Sequence, residues 1–199
     1  MHDVLIIGSG VIGMSIARQL SQSHLDIAIV DRDIPGMHAS YKAGGMLGAQ
    51  NEFTTDSELF QLAVASRSLF PELSDALYHE TGIDIEFQQS GLIKMASSTK
   101  DVERLTQQYD FLRSKDPSVE LLSDDALFNL SNGHIEPTDL AIYIPKDGQI
   151  NANHYTKALL QSVIQRGVHR YYQTEVQHIH HNNGYYTVTT HQSDIHAKK

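Results

Sequence analysis

"VLIIGSGVIG", residues 4–13, is the stretch on which the fold turns. Val4 to Ile7 form a continuous apolar run, of the kind that suits a strand buried on both faces in a parallel sheet. Three glycines follow at spacings of two and three. Gly8 permits a tight turn, Gly10 removes the side chain that would hold a pyrophosphate off the backbone, and Gly13 lets the next helix pack close to the strand. From Val11 the spacing turns helical: Ile12, Ile16 and Leu20 recur every four residues, with Gly13 and Ala17 as a small face beside them. The N–H groups at the start of that helix are a ready site for phosphate oxygens. A second strand, "DIAIVD", ends at Asp31, close to the ~20 residues at which an acid binds a ribose hydroxyl in this arrangement. Strand, glycine turn, helix, second strand and acid together read as a dinucleotide-binding α/β unit rather than an ordinary glycine-rich turn.

Composition narrows the rest. The chain has 199 residues, enough for one good core or one domain with an insertion. Its formal charge is −9 and no basic block stands out, so nucleic acid is not an expected partner. It has no cysteine, which excludes disulfides, thiolate metal sites and cysteine nucleophiles. No apolar stretch approaches a membrane span, and Met1-His2-Asp3 lacks the positive flank of a signal peptide. The expectation is a soluble, cytoplasmic protein without membrane contact.

Along the chain, residues 32–53 read as a long loop rich in small residues, a functional feature when it occurs inside a domain. Thr55 and Glu58 form a capping box that opens a helix with Leu59, Leu62, Ala63, Leu69, Phe70, Leu73 and Leu77 on one face; Pro71 kinks or splits it and Gly82 ends it. Short strands are predicted at Asp84–Gln89 and Gly91–Ser97. The stretch "STKDVERLTQQYDFLRSK" is a helix turning Val102, Leu105, Tyr109 and Leu112 inward, and "SDDALFNL" a short one capped by Ser123. "LAIYIP" is a strand and "NANHYTKALLQSVIQRG" a capped helix closing on Gly167. "VHRYYQTEVQHI" is one long strand, a third parallel strand beside the second. His181 to Gly184 form a hairpin turn, across which Tyr171, Tyr172, Tyr185 and Tyr186 pair. The domain reading is 1–83 with 149–199 as an α/β domain, and 84–148 as a strand-rich insertion.

"VLIIGSGVIGMSIARQL…IAIVDRD" followed by "AGGMLGA", and then by "LFQLAVASRSLFPEL" and "TGIDIEFQQSGLIKMA", resembles the flavin-dependent amino-acid oxidases of the D-amino-acid oxidase type. The likeness runs the full length of the chain. It is nearest the branch that oxidises glycine in the making of the thiamine thiazole. The resemblance implies a Rossmann-type FAD-binding domain (1–83 and 149–199, incomplete) with an inserted α+β substrate domain (84–148), truncated at the C-terminus. It implies FAD, with Gly8, Gly10 and Gly13 holding the pyrophosphate and Val11 and Ile12 offering backbone N–H groups. Asp31 would bind the adenosine ribose and Arg32 would lie along the adenine. Ser40, Gly44, Gly45 and Met46 would pass beneath pyrophosphate and flavin, Met46 also lining the substrate cavity, and Val176 would contact adenine through its backbone. The implied reaction takes a hydride from the α-carbon of glycine or another small amine, and yields an oxo acid, ammonia and hydrogen peroxide with oxygen as co-substrate. A tetramer is implied for a complete chain.

No catalytic residue is assignable. The family's carboxylate-gripping arginine and its strand ending Ala-x-Gly have no counterpart before Lys199, and the expectation is the N-terminal portion of a larger oxidase. Ala39, Tyr41 and Lys42 stand where the family has small or hydroxyl residues; Lys42 is either a phosphate-facing charge or a solvated loop lysine. His178 and His180 share a strand face beside His181, but a solvated hairpin explains them and no metal is expected. His79 and Glu80 read as polar surface, and Lys94 faces solvent or the substrate cavity. A dinucleotide-binding module, or a NAD-linked dehydrogenase domain without oxidase activity, is the alternative; Asp31 suits either dinucleotide, and the "AGGMLGA" loop favours FAD.

Overall fold

Side-chain caps start four of the helices, and left-handed Gly82 and Gly167 end two. The computed structural model describes residues 1–199. In chain order the elements are β1 (Val4–Ile7), α1 (Val11–Leu20), β2 (Ile27–Val30), α2 (Ala39–Lys42), β3 (Met46–Leu47), α3 (Glu58–Ser68), α4 (Phe70–Thr81), β4 (Leu92–Met95), α5 (Thr99–Lys115), β5 (Glu120–Leu122), α6 (Asp124–Leu130), β6 (Ala141–Ile144), β7 (Gly148–Gln149), α7 (Ala152–Gln165), β8 (His169–Tyr171), β9 (Val176–Asn182), β10 (Tyr185–Thr190) and β11 (Asp194–Ala197). Ser57, Ser98, Ser123 and Asn151 cap α3, α5, α6 and α7 with their side-chain oxygens. The cap of α3 is therefore Ser57 and not Thr55: its hydroxyl accepts from Phe60 N–H at 3.1 Å. Pro71 stands at the second position of α4, where its missing N–H costs nothing, and the long helix splits at Leu69.

The chain divides into two compact units, Met1–Gly45 with Leu73–Glu86 and Asn151–Lys199, and Met46–Glu72 with Phe87–Ile150. The sequence expectation draws the boundaries at 83 and 149 instead. Residues 46–72 differ, because Phe60 of α3 is buried in the second unit's core with Leu105, Leu112, Ile142 and Ile144.

In the first unit β1, β2 and β8 form a parallel sheet in the order β1-β2-β8. The strand buried on both faces is the central β2, all four residues of it; β1 is half-buried and its Ile7 is exposed. The backbone after β11 runs back beside β1, with Leu5 N–H donating to the Lys199 carbonyl at 2.9 Å and Lys199 N–H to that of Asp3 at 3.1 Å. The start of β1 is thus paired on the side away from β2. An antiparallel sheet, β11-β10-β9, packs against β2 through Val30, Val188 and Ile195. The predicted long strand 168–179 is two strands in two sheets. Gln173, at φ 52°, breaks it between β8 and β9. Tyr171 consequently lies in the other sheet. Across the hairpin Tyr186 faces His181 and Tyr185 faces Asn182, so the four tyrosines do not pair.

Helix α1 turns Gly13, Met14 and Ala17 inward and leaves Ile12 and Ile16 exposed. The stripe of Gly13, Met14 and Ala17, not the isoleucine stripe, faces inward, and Gly13 allows the closest approach. Arg18 of α1 donates to Ser162 of α7 at 3.0 Å, and Glu80 of α4 takes both Arg18 (2.9 Å) and Arg166 (2.5 Å). Glu80 is thus an interior clasp for α1, not polar surface.

In the second unit an antiparallel sheet runs β4-β6-β5, and β3 pairs with β7. Asp84–Gln89 is not a strand: Glu86 sits at φ 56°, and only Gln88 bridges, to Gln149. Leu59, Leu62 and Leu69 of the expected apolar face are exposed. Asp147 is fully buried, ion-paired with Arg67 and accepting from the N–H groups of Gln50 and Asn51. Asp116 accepts from Ser118, from Lys146 at 2.9 Å and from the Gln50 amide at 3.1 Å. No helix is long and apolar enough to cross a membrane.

Two outcomes are expected. Glu80→Ala leaves two part-buried guanidiniums without a counter-charge, and a loss of about 3 kcal/mol is expected from urea midpoints at unchanged m. Burial works to raise the Asp116 pKa, but hydrogen bonds from Ser118, Lys146 and Gln50 outweigh it and hold it at about 2. Its folded pKa is depressed, so its contribution is present above the unfolded value and lost as pH falls from there through about 2. Asp116→Asn is expected to remove ~2 kcal/mol of that acid-side slope, read by stability measured against pH.

Candidate functional site: a cavity at the strand ends

The site is built at the C-terminal ends of β1 and β2, where parallel sheets bind ligands. Ile7 and Val30, the last residues of the two strands, line a cavity of about 480 Å³. Gly8 leaves the strand at φ 105°, a conformation other residues resist. Gly13 then packs on it so closely that a Cβ there would lie 2.0 Å from the Gly8 carbonyl oxygen. This contact brings the start of α1 over the strand end. Gly10 caps α1 without any side-chain hydrogen bond, so the positive end of the helix dipole faces the cavity.

Asp31 stands across the cavity at the end of β2. One carboxylate oxygen accepts from Ser9 N–H at 2.6 Å and Ser9 Oγ at 2.7 Å; the other accepts from Asp33 N–H at 3.0 Å. Burial pushes its pKa up, but the Ser9 and Asp33 donors and the nearby His38 win, and the carboxyl is held below the ordinary range. Asp31 is therefore ionised and oriented, an acceptor for a diol. Ser40 of α2 closes the other side. Its Oγ accepts from Val11 N–H at 3.1 Å, and a Cβ on Gly10 would meet that oxygen at 3.2 Å.

Of the residues predicted from sequence, Gly8, Gly10, Asp31, Arg32, Ser40 and Val176 line this one cavity. Val11 adjoins it, with its N–H directed to Ser40 rather than outward. Ile12 is exposed on α1 and Gly13 is buried against Gly8; neither lines the cavity. Gly44, Gly45 and Met46 follow α2 and do not line it either. Gly45 has φ 79°, a Cβ on Gly44 would meet nothing within 4 Å, and Met46 is exposed. Lys42 is exposed at the end of α2.

Further residues shape or line the cavity without a clear sequence signal. Ser9 is fully buried and anchors Asp31; its only sequence signal is its place inside the glycine motif. Thr174 and Glu175 reach the cavity because the chain breaks before β9, with Thr174 N–H bonded to the Asp31 carbonyl at 2.8 Å. Elsewhere, Lys94 is turned into the second unit, donating to the Asn51 carbonyl and to Gln108 Oε1 at 2.8 Å, and burial pushes its pKa down. His178 and His180 are exposed on β9 with rings 6.2 Å apart.

The cavity fits the two ends of an FAD nucleotide half. Naked backbone and an uncapped helix start suit a pyrophosphate, and a fixed carboxylate suits a ribose. Comparison with known proteins agrees. The family profile of FAD dependent oxidoreductases matches residues 3–199. Glycine oxidase of Geobacillus kaustophilus (strain HTA426) is 39% identical over 176 residues, 88% of this chain and 47% of that protein. The crystal structure of glycine oxidase from Geobacillus kaustophilus superposes with a TM-score of 0.94 at 36% identity, covering 99% of this chain and 53% of that one. That of glycine oxidase from Bacillus cereus ATCC 14579 gives 0.90 at 32% identity, covering 100% and 54%. The chain spans about half the length of the relatives it matches. It belongs to the FAD-dependent oxidoreductases of the D-amino-acid oxidase family.

Proposed function

We propose that the protein to which these 199 residues belong oxidises glycine or a related small amine or D-amino acid to an oxo acid, with release of ammonia and hydrogen peroxide. The observation that carries the reading is the Ser9-held Asp31 facing the uncapped start of α1 across one cavity, in a chain similar to glycine oxidases along nearly its whole length. FAD, when bound, supplies the acceptor for the hydride and passes the electrons to oxygen.

This chain's residues bind and orient. Gly8 and Gly10 let backbone reach the pyrophosphate, with the start of α1 opposing its charge. Ser40 occupies the Val11 N–H, and its own hydroxyl is free to donate to a phosphate oxygen in this reading. Asp31 accepts from the adenosine ribose, and Arg32, Thr174, Glu175 and Val176 lie along the nucleotide. Gly44 and Gly45, open and left-handed respectively, suit a backbone passing close beneath an isoalloxazine, and Met46 follows them as a substrate-facing side chain. The domain roles follow: the first unit holds FAD, and residues 84–148 contribute to substrate binding.

The test begins with FAD titrated into the chain by flavin fluorescence, beside NADH. FAD is expected to bind in preference; a preference for NADH overturns the reading in favour of a dehydrogenase or sensor domain. Asp31→Ala is expected to weaken FAD by about tenfold or more, the scale of losing a charged acceptor, and Ser9→Ala by less, since the Ser9 N–H remains. Peroxide release is then measured with glycine, sarcosine and D-alanine on the FAD-loaded full-length protein. Silence with all three would remove the amine-oxidase part and leave the cofactor assignment standing.

A further inference from the structure

The opposite end of the parallel sheet gathers a second set of groups that the cofactor cavity does not use. His2 precedes β1, Asp26 precedes β2 and His169 opens β8, so three strand beginnings meet there. His2 Nδ1 lies 3.0 Å and His169 Nε2 3.3 Å from the same oxygen, Asp26 Oδ1. All three ligand atoms fall within 4.8 Å of one another. The two imidazole rings are 5.0 Å apart.

We propose that His2, Asp26 and His169 form a binding site for a divalent transition-metal ion of the zinc class, a clip across the three strand beginnings. Ligands at about 2.0–2.1 Å around a tetrahedral ion stand about 3.3 Å from each other, close to the two separations to Asp26. The remaining pair closes by rotation of His169, which is 59% exposed in its side chain. Two neutral imidazoles and one carboxylate select zinc, cobalt or nickel over magnesium or calcium. His2 is held for the task. It is 8% exposed, and its other nitrogen, Nε2, lies 2.9 Å from Tyr171 Oη. This contact can fix the ring in the way that a carboxylate, carbonyl or water does for metal-binding histidines. Tyr171 is two residues beyond His169 on the same strand face, so one strand supplies both a ligand and the support of another. The exposed sides of Asp26 and His169 leave an entry path and room for water as the remaining ligand.

The measurement uses the full chain with its native N-terminus and no histidine tag. Zinc chloride titrated by calorimetry is expected to bind one equivalent per chain and to raise the melting temperature; cobalt chloride is expected to give visible ligand-field bands, and magnesium chloride neither. His169→Gln, at an exposed position, and Asp26→Asn are each expected to weaken zinc at least tenfold. Tyr171→Phe is expected to weaken it by about 10–100-fold, the cost of losing an outer-shell partner. The double change His178→Gln with His180→Gln is expected to leave binding intact, and His169→Gln to leave FAD affinity intact. Absence of zinc uptake, retention of it in His169→Gln, or its loss in the His178/His180 variant would overturn the proposal. In the first case the three groups are a hydrogen-bonded trio only; in the last the ion belongs to the hairpin.

Discussion

The Gly8 carbonyl occupies the space where residue 13 would carry a side chain. This one contact sets how near α1 comes to β1, and much of the first unit follows from it. The helix start is drawn over the strand end with no side-chain cap from Gly10, and Ser40 takes the Val11 N–H. Ser9, between the two glycines, is carried fully inside and lands on Asp31. Ser40 seats against Gly10, where any Cβ would press on it. A cavity with a charged acceptor, Asp31, and the side-chain-free Gly8 and Gly10 in its wall is the outcome, an arrangement that suits a dinucleotide.

Ionic contacts hold these elements at the needed separation. Glu80 receives Arg18 of α1 and Arg166 from the C-cap of α7, and both helices are tied to α4 by charge-assisted bonds. The second unit repeats the device with Asp147, whose buried carboxylate is met by Arg67 and by two backbone N–H groups. Such centres are costly to break and geometrically exacting. They suit a scaffold that must hold a cofactor's several parts in register.

Where sequence reading and structure part, the causes are specific. Leucines and isoleucines at helical spacing define a stripe but not which stripe faces protein. On α1 the answer is Gly13, Met14 and Ala17, and on α3 it is Phe60, leaving Ile12, Leu59 and Leu62 outside. The run 168–179 has unbroken strand propensity, yet Gln173 turns left-handed and passes the chain from one sheet to another. That crossing delivers Thr174 and Glu175 to the cavity, and no local pattern announces it. Glu80 looks like surface in sequence because its arginines lie far away along the chain.

Local chemistry written in the chain was enough for the glycine turn, the helix that follows it, the acid at the end of β2, the cap at Ser123 and the hairpin turn within His181–Gly184. Each depends on residues near one another in sequence, whose conformational limits act before any packing. Packing alone chose which helix faces are buried, where the strand before Val176 breaks, and that Ser9 would hold Asp31. It also brought His2, Asp26 and His169 together. Those outcomes depend on groups separated by tens of residues, and their free energies come from close approach and desolvation, which exist only once the sheet and its helices have assembled.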